Sequence, residues 1–317
     1  MPQVRHTKTP KTELISPQVV EKPEAEEEAP KPPGTTVIVV SYNRAELLRK
    51  AVEALERSKD REKIEILVVD NGSTDGSAQL ETDFPNTRFI RMPRNFGLTK
   101  ALNVALRGAI GEFILLLHED TEVSPETVSL LAGILENQTD VGAACPLLVT
   151  PDGQPAPQIS SLPAPGRTAI QWRPADPQGG EQNVDYARGA ALMIRSLSLR
   201  AMGQIDERYG NFGSDAEICY QVRRAGKRVL VTAGTRVIHH GRTDLDKGER
   251  AVRDADQILG MAVYLRKRYG IVRGLIYRMG TLLGALGGLL TFQDFSYQLS
   301  VLGALTGGQK IDGSQAQ

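Results

Sequence analysis

Three side chains able to bind a metal or move a proton, His118, Glu119 and Asp120, directly follow five apolar residues, 113–117 (FILLL). A short unbroken apolar run reads as a strand buried on both faces, as in the middle of a parallel sheet. Open α/β sheets bind ligands in the crevice beyond the carboxyl ends of their strands. The pattern therefore sets acids at the mouth of a sheet, and Asp120 is the foremost candidate. The plainer reading of the same residues is a loop of solvated charges. Other parts of the chain have to decide between the two.

Two earlier runs end in the same way. Residues 35–44 (TTVIVVSYNR) are β-branched and finish in Ser41, Asn43 and Arg44. Asn43 is placed to cap the following helix, AELLRKAVEALERS, whose Leu47, Leu48, Ala51 and Leu55 share a face. Residues 64–70 (IEILVVD) read as a second buried strand, running into the turn cluster NGSTDGS. A further strand, TRFIRM, leads through the loop PRNFG to a helix over 98–109. Alternation at this spacing predicts a parallel, doubly wound α/β domain. The polar ends at 41–44, 70–77 and 118–120 then line one crevice. Asp70 suits a carboxylate that accepts hydrogen bonds from a base or ribose, and it equally suits a turn-former bonded to its own loop.

No G-x-G-x-x-G follows the first strand, and no G-x-x-x-x-G-K-[ST] occurs. That disfavours a dinucleotide dehydrogenase and a P-loop NTPase. A bound nucleotide diphosphate would need another counter-charge. A divalent ion held by Asp120, Mg²⁺ or Mn²⁺, supplies one, because such ions bind through one or two carboxylates plus substrate phosphates.

In the second half, residues 151–183 are rich in Pro, Gly and Gln and read as a long loop or lid. Trp172 lies in it, either to stack on a sugar ring or to pin the loop to the core. Residues 184–203 hold a small-residue turn and an apolar strand. Gly213-Ser214-Asp215 opens a helix running to about Arg224, where Asp215 is either a cap favoured by the helix dipole or a functional acid. VLVTAG and TRVIHH read as two short strands, with His239 and His240 supplying one metal ligand or none.

The totals are those of an ordinary globular chain. Lys and Arg number 38, as do Asp and Glu, so the zero net charge points to no nucleic-acid partner. Two cysteines without a CxxC give no disulfide framework or structural zinc site and fit a reducing compartment. Residues 1–33, rich in Pro, Lys and Glu, read as a disordered tail with no signal-peptide core.

Taken in order, VIVVSYNR, ILVVDNGSTDGS, RNFGLTKALNVAL, ILLLHEDTEV, ARGAALMIR, IDERYGNFGSDAEICYQVRRAG and RVIHHG resemble the family-2 inverting glycosyltransferases. Within them the chain looks like the rhamnosyltransferase-type branch of surface polysaccharide synthesis. The likeness spans roughly 35–242. It implies a nucleotide-sugar-binding GT-A fold with a mostly parallel central sheet over 34–243, followed by a helical C-terminal region over 244–317. It also implies roles. Asp70 would contact the nucleotide base, with Ser41, Asn43 and Arg44 in the first nucleotide loop and Asn95 and Gly97 in a loop near the donor. Asp120 matches the last acid of the D-x-D-like motif and His239 the histidine near diphosphate or metal. Glu119 would either add a second acid at the donor or merely sit beside it, and Asp215 matches the proposed catalytic base. The resemblance further implies a nucleoside-diphosphate sugar donor, rhamnose among the candidate sugars, and a glycan or lipid-linked acceptor. Two departures stand out. His118-Glu119 replaces the usual Asn-Pro, and Ser214 replaces the glutamate before the base.

From residue 244 the chain turns helical and increasingly apolar, with Leu275, Ile276, Met279, Leu282, Leu283, Leu286, Leu289 and Leu290 at helical spacing. Arg266, Lys267, Arg268, Arg273 and Arg278 interleave or precede them. The apolar part falls short of the roughly twenty residues that cross a bilayer. It reads either as a basic amphipathic segment on a membrane surface or as a helical domain docked on the core or on a second subunit. Gly280, Gly284 and Gly288 stand four apart, a spacing that lets helices pack closely. A lipid-linked acceptor would place the enzyme in the cytoplasm, peripherally on the cytoplasmic face of the inner membrane. Two other functions compete with transfer. One is a sugar nucleotidyltransferase, for which SYNRAELL lacks the glycine-rich basic loop. The other is an inactive nucleotide-sugar-binding or scaffold protein, which Ser214 and Glu119 would favour.

Overall fold

The computed structural model describes residues 34–167, 169–241, 247–290 and 294–306. The tail expected over 1–33 lies outside them. The first half alternates as read: β1 (Thr35–Ser41), α1 (Ala45–Glu56), β2 (Ile64–Asp70), α2 (Leu80–Asp83), β3 (Arg88–Arg91), α3 (Leu98–Gly108) and β4 (Phe113–His118). Strands β3, β2, β1 and β4 lie side by side in that order, all parallel. Each of β1, β2 and β4 carries an unbroken apolar run, Val37–Val40, Ile66–Val69 and Phe113–Leu117, because both faces are covered there. Val37 and Val39 of β1 pack with Leu48, Val52 and Leu55 of α1, while Ile38 and Val40 pack with Ala101, Leu102 and Ala105 of α3. Burying one such Val or Leu completely is worth about 1.5–3 kcal/mol.

The second half adds β5 (Thr121–Val123), α4 (Thr127–Asn137), β6 (Val141–Val149), β7 (Pro157–Ser160), β8 (Arg173–Pro174), β9 (Glu181–Val184), β10 (Tyr186–Ala187), β11 (Ala191–Arg195), α5 (Ser196–Met202), α6 (Ser214–Arg224) and β12 (Arg228–His239). The main sheet continues from β4 through β11, β6 and β12 to β5, with β9 also on β12. β11 is antiparallel to both β4 and β6, and β12 runs parallel to β6. The central sheet is thus mostly parallel, as expected.

Three readings are corrected. The stretch 151–183 is no structureless lid: β7 and β8 join β10 in a small sheet, and β9 pairs with β12. These strands are two to four residues long, too short for a periodic signal. VLVTAG and TRVIHH belong to the single strand β12, whose pairing to β6 slips between Thr232 and Arg236. The irregularity at Ala233 and Gly234 imitates a turn in the sequence. Asn43 does not cap α1. It sits at φ 52°, and the first helical N–H, that of Ala45, donates to Asp75 Oδ2 at 2.9 Å. The cap comes from a neighbouring loop, which local spacing does not reveal.

Helices α7 (Lys247–Tyr269), α8 (Ile271–Leu290) and α9 (Phe295–Thr306) pack around Ala251, Ala255, Ala285, Val301 and Leu305. α7 ties this bundle to α6: Arg268 bonds Glu217 and lies 3.9 Å over the Tyr220 ring, and Lys267 Nζ is 3.1 Å from Glu217. Two of the basic residues that interleave the apolar ones, Lys267 and Arg268, therefore serve an internal contact, as the docked-domain alternative requires. Asp256 of α7, 5% exposed, accepts the Asn211 backbone N–H at 3.2 Å. Gly274 gives the close helix contact, since a Cβ there would meet Ala262 O at 2.9 Å. Gly280 and Gly284 face open space, whereas a Cβ on Gly288 would meet Gln298 Cδ of α9 at 2.8 Å, so one of the three spaced glycines serves helix packing. No helix among the described residues is long and apolar enough to cross a membrane.

Candidate active site

His118 ends β4, and a tight turn, with Thr121 Oγ1 donating to His118 O at 2.7 Å, reverses the chain into β5. β12 returns antiparallel to β5 with His239 opposite Thr121, and His240 N donates to Asp120 O at 2.9 Å. That register carries His239 to Asp120 across more than a hundred residues. His239 Nε2 lies 3.5 Å and His118 Nδ1 3.9 Å from Asp120 Oδ1. Among the described residues, His118, Asp120 and His239 are the group whose ligand atoms converge, all within 4.8 Å of one another.

The electrostatics suit a cation. Asp120 is 6% exposed, and its Oδ1 is buried without a hydrogen-bond partner. Such an atom is costly unless something binds it. Burial alone would raise the Asp120 carboxyl, but His239, His118 and Arg44 outweigh it and hold the group well below the usual carboxylate range. Burial pushes His118 down to about 4, despite the opposing pull of Asp120. Its imidazole is neutral at physiological pH and keeps a lone pair for a metal. Arg44, beside α1, reaches both acids, with Nη1 3.6 Å from Asp120 Oδ2 and Nε 3.8 Å from Glu119 Oε1. The donor set of one carboxylate and two imidazoles fits a divalent transition-type ion such as Mn²⁺ more closely than an all-oxygen site. His240 is not part of it; its Nε2 pairs with Glu122 at 2.7 Å.

The other polar loops meet at the same edge. Ser41 and Asp70 are register partners across β1 and β2. Asp70 Oδ1 accepts the Ser73 N–H at 2.9 Å, so the turn-former reading holds for one oxygen. Asn43 Oδ1 accepts the Thr74 N–H at 2.7 Å, locking the two loops together. Asn95 organises its own loop: Oδ1 takes Asn71 Nδ2 at 2.8 Å and the Gly97 N–H at 2.9 Å. Gly97, at φ 86°, starts α3, and Leu98 N donates to Asn211 Oδ1 at 2.8 Å. Buried orphan atoms collect here. Ser41 Oγ, Asn95 Nδ2 and Asn211 Nδ2 join Asp120 Oδ1 in lacking partners.

Asp215 stands in the first turn of α6, beyond its Gly213 N-cap. Its Oδ1 accepts Tyr186 Oη and the Ala216 N–H, both at 2.8 Å, and its Oδ2 accepts the Gly189 N–H at 3.1 Å. Burial raises its pKa despite those bonds and the nearby charge of Arg188. One turn links this acid to the metal-type cluster. Gly189 holds Asp215, and the adjoining Ala190 O accepts the His118 N–H at 3.0 Å. A Cβ on Gly189 would approach Asp215 Cβ to 3.0 Å, so any side chain there would press on the acid. Trp172 packs on the core with its ring 4.7 Å from that of Tyr186, as the pinning alternative requires.

All the residues singled out from the sequence therefore lie on loops at one edge of the sheet or in contact with them. Spacing along the chain shows His118 only as one of three neighbours; the fold joins it to His239 at Asp120. Tyr186 and Arg188 give no local signal, because their contacts cross a small sheet that the sequence does not announce. A cavity of about 430 Å³ opens elsewhere, lined by Gly34, Ile110, Gly111, Glu112, Arg195 and Arg200. It adjoins the opposite ends of β1 and β4 and shares no residue with the acids.

Known proteins resemble this chain in sequence and fold. The N-acetylglucosaminyl-diphospho-decaprenol L-rhamnosyltransferase of Mycobacterium tuberculosis is 24% identical over 233 residues, covering 64% of this chain and 75% of that protein. The mannosyltransferase PcManGT from Pyrobaculum calidifontis, solved with GDP-Man and Mn²⁺, superposes with a TM-score of 0.54 at 17% identity, covering 91% of this chain and 92% of the other. GalNAc-T7, solved with UDP, GalNAc and Mn²⁺, gives a TM-score of 0.56 at 17% identity over 68% of this chain and 45% of its own. These structures share the GT-A fold. The family model described as Glycosyl transferase family 2 matches residues 36–199, more than half of the 317. The chain belongs to glycosyltransferase family 2.

Proposed function

We propose that the protein is an inverting transferase that moves a sugar from a nucleoside diphosphate to a hydroxyl of a lipid-linked or glycan acceptor. The observation that carries this reading is the Gly189-Ala190 turn, which holds a half-buried carboxylate, Asp215, next to the His118–Asp120–His239 cluster. Asp215 accepts the proton of the attacking hydroxyl. The hydroxyl oxygen bonds to the anomeric carbon as the bond from that carbon to the diphosphate oxygen breaks, and the diphosphate keeps the electron pair. Attack on the face opposite the leaving group inverts the centre. Asp120, His118 and His239 would hold Mg²⁺ or Mn²⁺, which supplies Lewis-acid charge for the departing diphosphate. Asp70, Ser41, Asn43 and Arg44 serve the nucleotide, Asn95 and Gly97 shape the loop beside it, and Glu119 orients Arg44.

The Mycobacterium relative is named for rhamnosyl transfer to a diphospho-decaprenol-linked sugar. That supports L-rhamnose and a lipid-linked acceptor here. A lipid-linked acceptor favours contact with a bilayer surface. Val272, Leu275, Ile276, Met279, Leu283 and Leu286 form an exposed stripe along α8, with exposed Arg266 and Arg273 nearby. We assign this stripe to an anionic membrane surface, with attraction from both apolar burial and charge.

The test of the donor site is thermal stabilisation by UDP, GDP and dTDP with and without Mn²⁺, since selective binding stabilises the native state by mass action. A metal-dependent rise in melting temperature, abolished in Asp120→Ala, is expected. No rise with any of the three would refute the donor site.

A further inference from the structure

Arg188 directly precedes the turn that joins the two clusters. Its guanidinium carbon lies 4.7 Å over the Trp172 ring, and Trp172 in turn packs on Tyr186, whose hydroxyl holds Asp215. The fold thus gives this side chain a fixed aromatic platform at the junction. Arginine suits that position, since its planar guanidinium stacks on rings and leaves its edge free for phosphate oxygens. Among the described residues, no carboxylate comes within ion-pair distance of it. Yet it feels both sides of the site: the charges of Asp215 and Asp120 act on Arg188, and Arg188 acts on His118. A half-buried cation without a bonded anion is an unfinished interaction.

We propose that Arg188 is a phosphate-binding residue that receives the β-phosphate of the leaving nucleoside diphosphate. This rests on the transferase reading above. During transfer one negative charge leaves Asp215, as it takes the hydroxyl proton, and one appears on the departing diphosphate. The charges of Asp215 and of Asp120, at the metal-type cluster, both act on Arg188. Its attraction passes from the carboxylate to the phosphate, so its interaction with the leaving group grows as the glycosidic bond breaks. Interactions that strengthen in the transition state are those that raise the rate.

The experiment is calorimetric binding of UDP, GDP and dTDP, each with Mn²⁺, and of the matching monophosphates, to the wild-type protein, Arg188→Gln, Arg188→Lys and Trp172→Leu. Circular dichroism checks that each variant is folded. A lost charged hydrogen bond predicts roughly 10- to 100-fold weaker diphosphate binding in Arg188→Gln with monophosphate binding unchanged. Arg188→Lys restores part of the affinity. Trp172→Leu, which keeps the charge and removes its platform, falls between and serves as the second probe if Arg188→Gln does not fold. Unchanged diphosphate affinity overturns the proposal, including the case where only the KM for a phosphate-bearing acceptor rises. Equal losses for di- and monophosphates overturn it too. A wild-type protein that binds none of the diphosphates overturns the transferase reading itself.

Discussion

Asp256 gives the fold a carboxylate with a calculable pH signature. It is buried between α7 and the 210–211 loop, and its hydrogen bond from the Asn211 backbone does not offset the cost of burying the charge, so its pKa rises to about 7. The unfolded chain would return it to about 3.9. Between those values the native state binds a proton that the unfolded state has released. Stability from this group is therefore fully present below the unfolded pKa and is lost as pH rises through 7. At about 1.4 kcal/mol per pH unit, the loss between pH 5 and pH 8 is about 2–3 kcal/mol. Asn in place of Asp256 keeps an oxygen to accept the Asn211 N–H and has nothing to ionise. Urea unfolding of wild type and Asp256→Asn at pH 5 and pH 8 measures the effect as a difference, which cancels the other titrating groups. The variant should gain about 2–3 kcal/mol on the wild type between the two pH values. Parallel pH profiles would show that the Asp256 carboxyl is not held neutral by burial, and the reasoning would fail.

Three further outcomes follow from the site and the helices. Asp215→Asn turns an amide N–H₂ toward one of three donors, so unfolding free energy drops by about 1–3 kcal/mol, while transfer falls by about 10²–10⁴-fold with nucleoside diphosphate binding retained; turnover near the wild-type rate removes Asp215 from the base role. Asp75→Ala strips the Ala45 N–H of its cap and costs about 0.5–2 kcal/mol in denaturant titration; no change would mean that water replaces the bond without penalty. Leu283→Glu, set in the exposed stripe of α8, should abolish co-flotation with vesicles containing anionic lipid and leave metal-dependent nucleotide binding intact; unchanged flotation would reject the membrane assignment.

Unbroken apolar runs mark the centres of β1, β2 and β4, because a strand covered on both faces is apolar where the layers meet. Their polar ends bring Ser41, Asp70 and Asp120 together by chain pattern alone, since parallel strands necessarily carry their carboxyl ends to one edge. The helix over Ser214–Arg224 is legible for the same local reason. Pairing decides the rest. His239 becomes a neighbour of Asp120 through the β12–β5 register, and local sequence does not encode which strands pair. The cap on α1 comes from Asp75 rather than Asn43, because a side chain thirty residues away reaches the helix end first. Tyr186, Arg188 and Trp172 stack across strands of two to four residues, below the length at which alternation can be read. The sequence by itself determined which groups could do chemistry and at which end of the sheet. The tertiary structure alone decided which of them touch, because contacts between distant segments depend on register and burial and not on spacing along the chain.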